Sequence, residues 1–177
     1  MTAPYGWWHQ DSPIGPLVVY VSDVGVCCIE LDTARGDRSE RSERRELASE
    51  RAPAGRVSRP AASERVRQEL DEYFAGDRTR FSVPVDLGAV TAPFRRRVLE
   101  TLRRDVRYGE TVAYGELAAM AGRPGAARAV GSAMATCPVP ILVPCHRVLA
   151  AGGVIGGYGG RIHQKRALLA IEGVEVG

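Results

Sequence analysis

Cysteine, histidine, lysine and long apolar runs are all scarce in this chain. Four cysteines and three histidines occur in 177 residues, and Cys27, Cys28, Cys137 and Cys145 form no Cys-x2-Cys pair. A structural zinc site is therefore not expected. A disulfide framework is not expected either, because adjacent Cys27 and Cys28 on a strand point to opposite faces. No stretch approaches the ~18 apolar residues that a membrane span needs. Residues Met1 to His9 lack the basic start and apolar core of a secretory leader. The expectation is a cytoplasmic protein that does not engage a membrane. Lysine occurs once, at position 165, so arginine carries nearly all the positive charge.

The net charge of +3 hides an asymmetry. Residues 1–90 hold 12 Arg against 15 acids; residues 91–177 hold 11 Arg and Lys165 against 6 acids. A basic second half on an acidic first half fits one part meeting a polyanion while the other supports it. At this length the chain forms one ordinary domain or two small ones.

Leu17 to Val21 and Val24 to Leu31 are β-rich runs split by Ser22-Asp23, which reads as a hairpin opening a small sheet. Between Arg35 and Ser63 there is no aromatic and almost no large aliphatic residue, so a mobile loop is expected there. Ser63 reads as the cap of a helix with Val66, Leu70 and Phe74 on its buried face and Gly76 at its end. Phe81 to Leu87 reads as a short strand or extended linker, and a domain boundary is expected near residue 88. Pro93 opens a further helix carrying Phe94, Val98 and Leu102 on one face, with a stop near Tyr108-Gly109.

Two short segments follow, Tyr114 to Ala121 and Ala126 to Ala135, joined by Gly122-Arg123-Pro124-Gly125 in helix-turn-helix spacing. The second bears Ala126, Ala127, Ala129, Gly131, Ser132 and Ala133, with Arg128 as its one long polar side chain. Helices that read base edges need several such side chains. This one suits close approach to a backbone without sequence reading, or close packing inside the protein.

The densest chemical signal is Pro144-Cys145-His146-Arg147-Val148, a nucleophile beside a base. Val143 precedes a proline and is biased toward extended backbone, so a helix is expected to start near Cys145 and to favour its thiolate. Consecutive residues do not face each other on a helix, so a bridging water is the expected proton path from Cys145 to His146.

Tyr114, Arg128-Ala129-Val130-Gly131, Pro138 to Pro140, Pro144 to Val148, Gly156 to Gly160 and Glu172-Gly173 resemble, in order and spacing, the O6-alkylguanine-DNA alkyltransferases. Asp11 to Leu17 resembles the opening of that family's N-terminal domain. The resemblance implies an α+β fold: a small ribonuclease-H-like antiparallel sheet domain with a helix (1–88), then a mainly helical, winged helix-turn-helix-like domain (89–177). It implies single-turnover transfer of an alkyl group from the guanine O6 atom, and from the O4 atom of thymine, to Cys145. The product is a thioether, which water does not hydrolyse, and no cofactor or metal is needed. His146 is the implied base, Glu172 its orienting acid, and Tyr114 the donor to the departing guanine.

The implied partner is duplex DNA, entered from the minor groove with little sequence preference by a monomer. Arg128 is the implied finger that fills the vacated stack, with Tyr114, Gly115, Arg123, Ala127 and Gly131 around it. Pro140, Val148, Tyr158, Gly159 and Gly160 are the implied pocket. Three positions depart from the family pattern. Cys137 stands where asparagine is usual and braces a hinge, Ala113 where Ser or Thr precedes the tyrosine, and Gly159 where serine is frequent. A lost hinge brace and a lost helix cap are expected. The rival functions are a lesion sensor that binds alkylguanine without transferring the group, and a cysteine hydrolase with turnover.

Overall fold

The computed structural model describes residues 6–31 and 60–176. Strands β1 (Gly6–Gln10), β2 (Leu17–Val21) and β3 (Val26–Leu31) form an antiparallel sheet in that order. Trp8 pairs with Val19, and Val19 with Ile29. The hairpin is where the Ser22-Asp23 break places it, closed by Ser22 N–H donating to Gly25 O at 2.8 Å. Strand β1 was not expected from the sequence.

Helix α1 (Pro60–Ala75) covers the sheet. It begins three residues before the expected cap, so Ser63 is a buried helical residue rather than the start. Its core face runs through Val66, Leu70 and Tyr73, with Phe74 only partly buried beside them. The i, i+4, i+7 spacing thus turns Tyr73, not Phe74, inward. Gly76, at φ +83°, ends the helix. The expected loop of 35–63 lies outside the described residues except for 60–63, which belong to α1.

From Gly76 the chain returns along the sheet in extended form, as Phe81 to Leu87 suggested. Val26 N–H donates to Pro84 O at 3.0 Å, and Asp86 N–H to Val26 O at 2.8 Å. A Cβ on Gly25 would lie 2.3 Å from Pro84 O, so only glycine admits this approach. Glu69 tethers the same segment by accepting from the N–H groups of Ser82 (2.8 Å) and Val83 (3.2 Å).

Helix α2 (Pro93–Asp105), with proline at its start, packs with α3 (Tyr114–Met120) and α4 (Ala127–Ala135) through Val98, Leu99, Leu102, Leu117, Val130 and Ala133. It stops at Asp105, short of the expected Tyr108-Gly109. Strand β4 (Val112–Ala113) runs parallel to β5 (Val148–Leu149), and α5 (Ile162–Ile171) closes the chain. Ala113 makes no side-chain cap for α3, but the Glu116 carboxylate accepts from the Ala113 N–H at 2.8 Å. One orphan donor is still satisfied, so only part of the expected capping loss remains.

The sheet side and the helical side share one apolar core. Polar ties reinforce it, among them Ile29 N–H to Pro138 O at 2.8 Å and Gln164 Nε2 to Ile14 O at 2.9 Å. Among the described residues no helix is long and apolar enough to cross a membrane.

Candidate active site and DNA-facing surface

Residues 139–149 are buried throughout. Val143 N–H donates to Val139 O at 2.9 Å, and Ile141 is held at φ +76° within that loop. A β-branched residue enters this left-handed region at a cost of ~1–3 kcal/mol. The tight loop delivers Cys145 into a 3-10 turn, Cys145–Arg147, which passes at once into β5. The expected helix start at Cys145 is therefore corrected. A single turn has no dipole of useful size, and the thiol must be tuned by side chains instead.

His146 and Glu172, 26 residues apart in sequence, meet in the core. Glu172 occupies the C-cap of α5 and is 4% exposed. His146 Nε2 lies 2.7 Å from Glu172 Oε1. A carboxylate can only accept, so Nε2 carries the proton and Nδ1 is the free lone pair. Nδ1 is buried and has no partner. Burial lowers the His146 pKa from its ordinary 6.5 despite the acid beside it, which keeps the ring neutral.

Arg147 holds the same carboxylate. Its Nε and Nη2 donate to Oε2 at 2.8 Å and Oε1 at 2.9 Å, while Nη1 donates to Val106 O at 2.7 Å. The Tyr73 hydroxyl donates to Oε1 at 2.7 Å, and Gly109 N–H to Oε2 at 3.3 Å. Burial pushes the Glu172 carboxyl up, but the hydrogen bonds from His146 and Arg147 outweigh it and hold the pKa at about 2. An acid at a helix C-terminus is disfavoured by the dipole, and these donors are the specific partners that offset it.

Cys145 is 2% exposed. Its Sγ lies 3.4 Å from the Tyr158 hydroxyl. Lys165 is fully buried, donates from Nζ to Val148 O at 2.6 Å and sits 6.0 Å from the centre of the Tyr158 ring. Cys137, then Tyr158 and the Lys165 charge, lower the Cys145 pKa against the opposing effect of burial. Cys137 itself is pushed well up, first by Cys145 and then by burial, so it stays a neutral thiol. Position 137 therefore bears on the ionisation of the nucleophile.

Tyr114 begins α3 half-buried, and its pKa is raised by burial and by the nearby Cys145 charge. A Cβ on Gly156 would come within 3.2 Å of the Tyr114 hydroxyl, so the segment after β5 closes over that ring. Val148, Pro140 and Tyr158 are buried around the sulfur's segment, while Gly159 and Gly160 are exposed at φ +59° and +79°. Arg128 and Gly115 are exposed, with Ala127 and Gly131 half-buried on α4. Arg123 stacks on Phe94 at 4.9 Å, an anchoring role the sequence reading did not foresee. No two of the four cysteines are joined by a disulfide. No group of three His, Cys, Asp or Glu side chains among the described residues is arranged to hold a metal ion.

Three buried participants were missed as site residues. Arg147 was visible as a charge inside an apolar run, the signal of a paired core cation. Lys165 and Tyr73 gave no signal beyond their helical phase.

Two family models divide the chain. Residues 7–87 match the ribonuclease-like domain of 6-O-methylguanine DNA methyltransferase, and residues 93–174 match its DNA-binding domain. The chain belongs to this family. A methylated-DNA–protein-cysteine methyltransferase of Mycobacterium tuberculosis is 42% identical over 164 residues, covering 92% of this chain and 88% of the relative. The human protein of the same name is 38% identical over 173 residues, covering 94% and 80%. Among solved structures, Mycobacterium tuberculosis OGT in complex with DNA superposes with a TM-score of 0.73 at 37% identity, covering 94% of this chain and 91% of the other. The O6-methylguanine-DNA methyltransferase of Pyrococcus kodakaraensis gives a TM-score of 0.61 at 27% identity, covering 95% and 98%.

Proposed function

We propose that this chain repairs duplex DNA by moving methyl and small alkyl groups from the O6 atom of guanine, and from the O4 atom of thymine, onto Cys145, once per molecule. The reading rests on the buried His146–Glu172 pair next to a cysteine whose ionisation is favoured. His146 Nδ1 takes the thiol proton through a bridging water. The Sγ lone pair then attacks the alkyl carbon from behind, an S–C bond forms, and the C–O bond breaks with its electron pair left on the base. Tyr114 supplies a proton to the departing base. The thioether has no electrophilic carbonyl for water to attack, so the protein is consumed.

A base inside a duplex cannot reach a sulfur that is 2% exposed. The nucleotide is flipped outward, and the segment 150–160 yields to admit it between Pro140, Val148, Tyr158, Gly159 and Gly160. Helix α4 enters the minor groove on its small residues Ala127 and Gly131, and exposed Arg128 takes the vacated place in the stack. Gly115 and Arg123 line the same approach. The division of labour falls near residue 88: residues 1–88 support, and residues 89–177 bind and react. The protein acts as a monomer in the cytoplasm, where free thiols stay reduced.

Incubation with duplex containing O6-methylguanine, followed by intact-protein mass measurement, is expected to show one methyl group per molecule, mapped to Cys145. Equal methylation of Cys145→Ala would overturn the reading.

A further inference from the structure

Glu172 accepts five hydrogen bonds, and all but one of the donors come from residues after 100. The exception is Tyr73, on α1 of the sheet-bearing half. Its ring is almost fully buried, wedged among Phe81 (5.2 Å between centres), Tyr108 (6.2 Å) and its neighbour Phe74 (5.5 Å). Its hydroxyl lies 2.7 Å from Glu172 Oε1 and 3.4 Å from His146 Nε2. One phenol therefore touches both the acid and the imidazole from the far side of the chain.

We propose that Tyr73 is a positioning residue of the alkyl-transfer centre: its hydroxyl proton occupies Glu172 Oε1, so that Glu172 orients His146 without drawing off the Nε2 proton. This rests on the proposed transfer to Cys145. A phenol has one proton to give. Glu172 cannot donate, so that proton goes to Oε1, and toward His146 the phenol presents only a lone pair. Both contacts favour the tautomer with the proton on Nε2 and Nδ1 free. Burial and the Glu172 charge drive the Tyr73 pKa far up, so the phenol stays a donor throughout the working range.

The groups facing this pair are few. Arg147 and the Gly109 N–H hold Glu172, Tyr108 and Arg147 face Tyr73, and Lys165 and Arg147 face His146. With the phenol proton removed, Oε1 loses one of three donors and binds the imidazolium form of His146 more strongly. The His146 pKa then rises, and the base is lost at higher pH. The half of the protein that carries no nucleophile would thus set the proton inventory of the half that does.

The test is the pH dependence of single-turnover methyl transfer. Tyr73→Phe is expected to move the rising limb of the profile up by about one pH unit, the size of losing one hydrogen bond to a charged group. Replacement of Tyr73 by 3,5-difluorotyrosine, which keeps the shape and donates more strongly, is expected to move it down. Tyr108→Phe loses the bond from that hydroxyl to Ile171 O (2.6 Å) on the same turn, breaks no hydrogen bond to Glu172 or His146, and is expected to lower the unfolding temperature with the limb in place. Superimposable limbs for wild type and Tyr73→Phe, or a loss of rate by the same factor at every pH, would overturn the proposal. If Tyr73→Phe does not fold, the difluorotyrosine protein decides alone: an unmoved limb overturns it. Wild-type protein that accepts no methyl group would instead sink the function on which the proposal rests.

Discussion

Replacing Glu172 with glutamine removes one charge and almost no volume, which makes it the sharpest probe of the buried network. The two carboxylate oxygens accept from His146, Tyr73, Gly109 and twice from Arg147. Glutamine offers one oxygen and one NH2, and the NH2 must face donors whichever way the amide is turned. The guanidinium of Arg147, only 6% exposed, would lose its counter-charge. Breaking a buried ion pair from one side costs about 3–5 kcal/mol. At ~2–4 °C per kcal/mol for a chain of this size, the unfolding temperature should fall by roughly 6–20 °C.

His146 loses the acceptor that orients it, so transfer below the melting range should slow as well. The double variant Glu172→Gln with Arg147→Met separates the two effects. It removes the stranded cation, and much of the stability should return, whereas transfer should not. Thermal unfolding and single-turnover methylation read the two quantities independently. A Glu172→Gln protein melting within about 2 °C of wild type would refute the buried-pair reasoning.

Acid should destabilise the protein in two stages. His146 has a folded pKa below 6.5, and Glu172 is held at about 2 against an ordinary 4.5, so in both cases the unfolded chain binds protons more readily. Stability should therefore fall first as pH drops below 6.5 and again between 4.5 and 2; an unfolding temperature that stays level down to pH 4.5 would contradict the His146 contribution. Cys137→Ala removes the thiol that most lowers the Cys145 pKa, so the thiolate absorbance of Cys145 should appear at higher pH and transfer at neutral pH should slow. Gly156→Ala places a methyl 3.2 Å from the Tyr114 hydroxyl; the ring must shift, and transfer is expected to slow with little change in melting. Arg128→Ala, on an exposed position of α4, should leave stability within about 0.5 kcal/mol while weakening binding to lesion-containing duplex and its salt dependence, both readable by titration at two ionic strengths.

Local chemistry made much of the fold legible. Pro93 at a helix start and Gly76 at a helix end place α2 and the end of α1 by backbone rules that act within a few residues. The β-rich runs on either side of Ser22-Asp23 give the hairpin for the same reason. Strand β1 escaped because Gly6-Trp7-Trp8-His9-Gln10 has no apolar alternation; only pairing with β2 makes it a strand. Val66 and Leu70 face the core as the spacing predicts, but in the last turn of α1 Tyr73 rather than Phe74 turns inward, because both are aromatic and only the neighbours Phe81 and Tyr108 decide between them.

The sequence by itself determined which residues the proposed reaction draws on: a cysteine beside a histidine, an acid at a helix end, a small-residue helix with one arginine, and a spacing that joins them. Tertiary structure alone decided how they are tuned. The helix dipole expected at Cys145 is replaced by Cys137, Tyr158 and Lys165, and the acid is held by Arg147 and by Tyr73 from the opposite half of the chain. Bond-forming residue types are set by covalent chemistry and can be read singly. A pKa depends on every charge and donor within a few ångströms, and which residues come that close is settled only when the whole chain has packed.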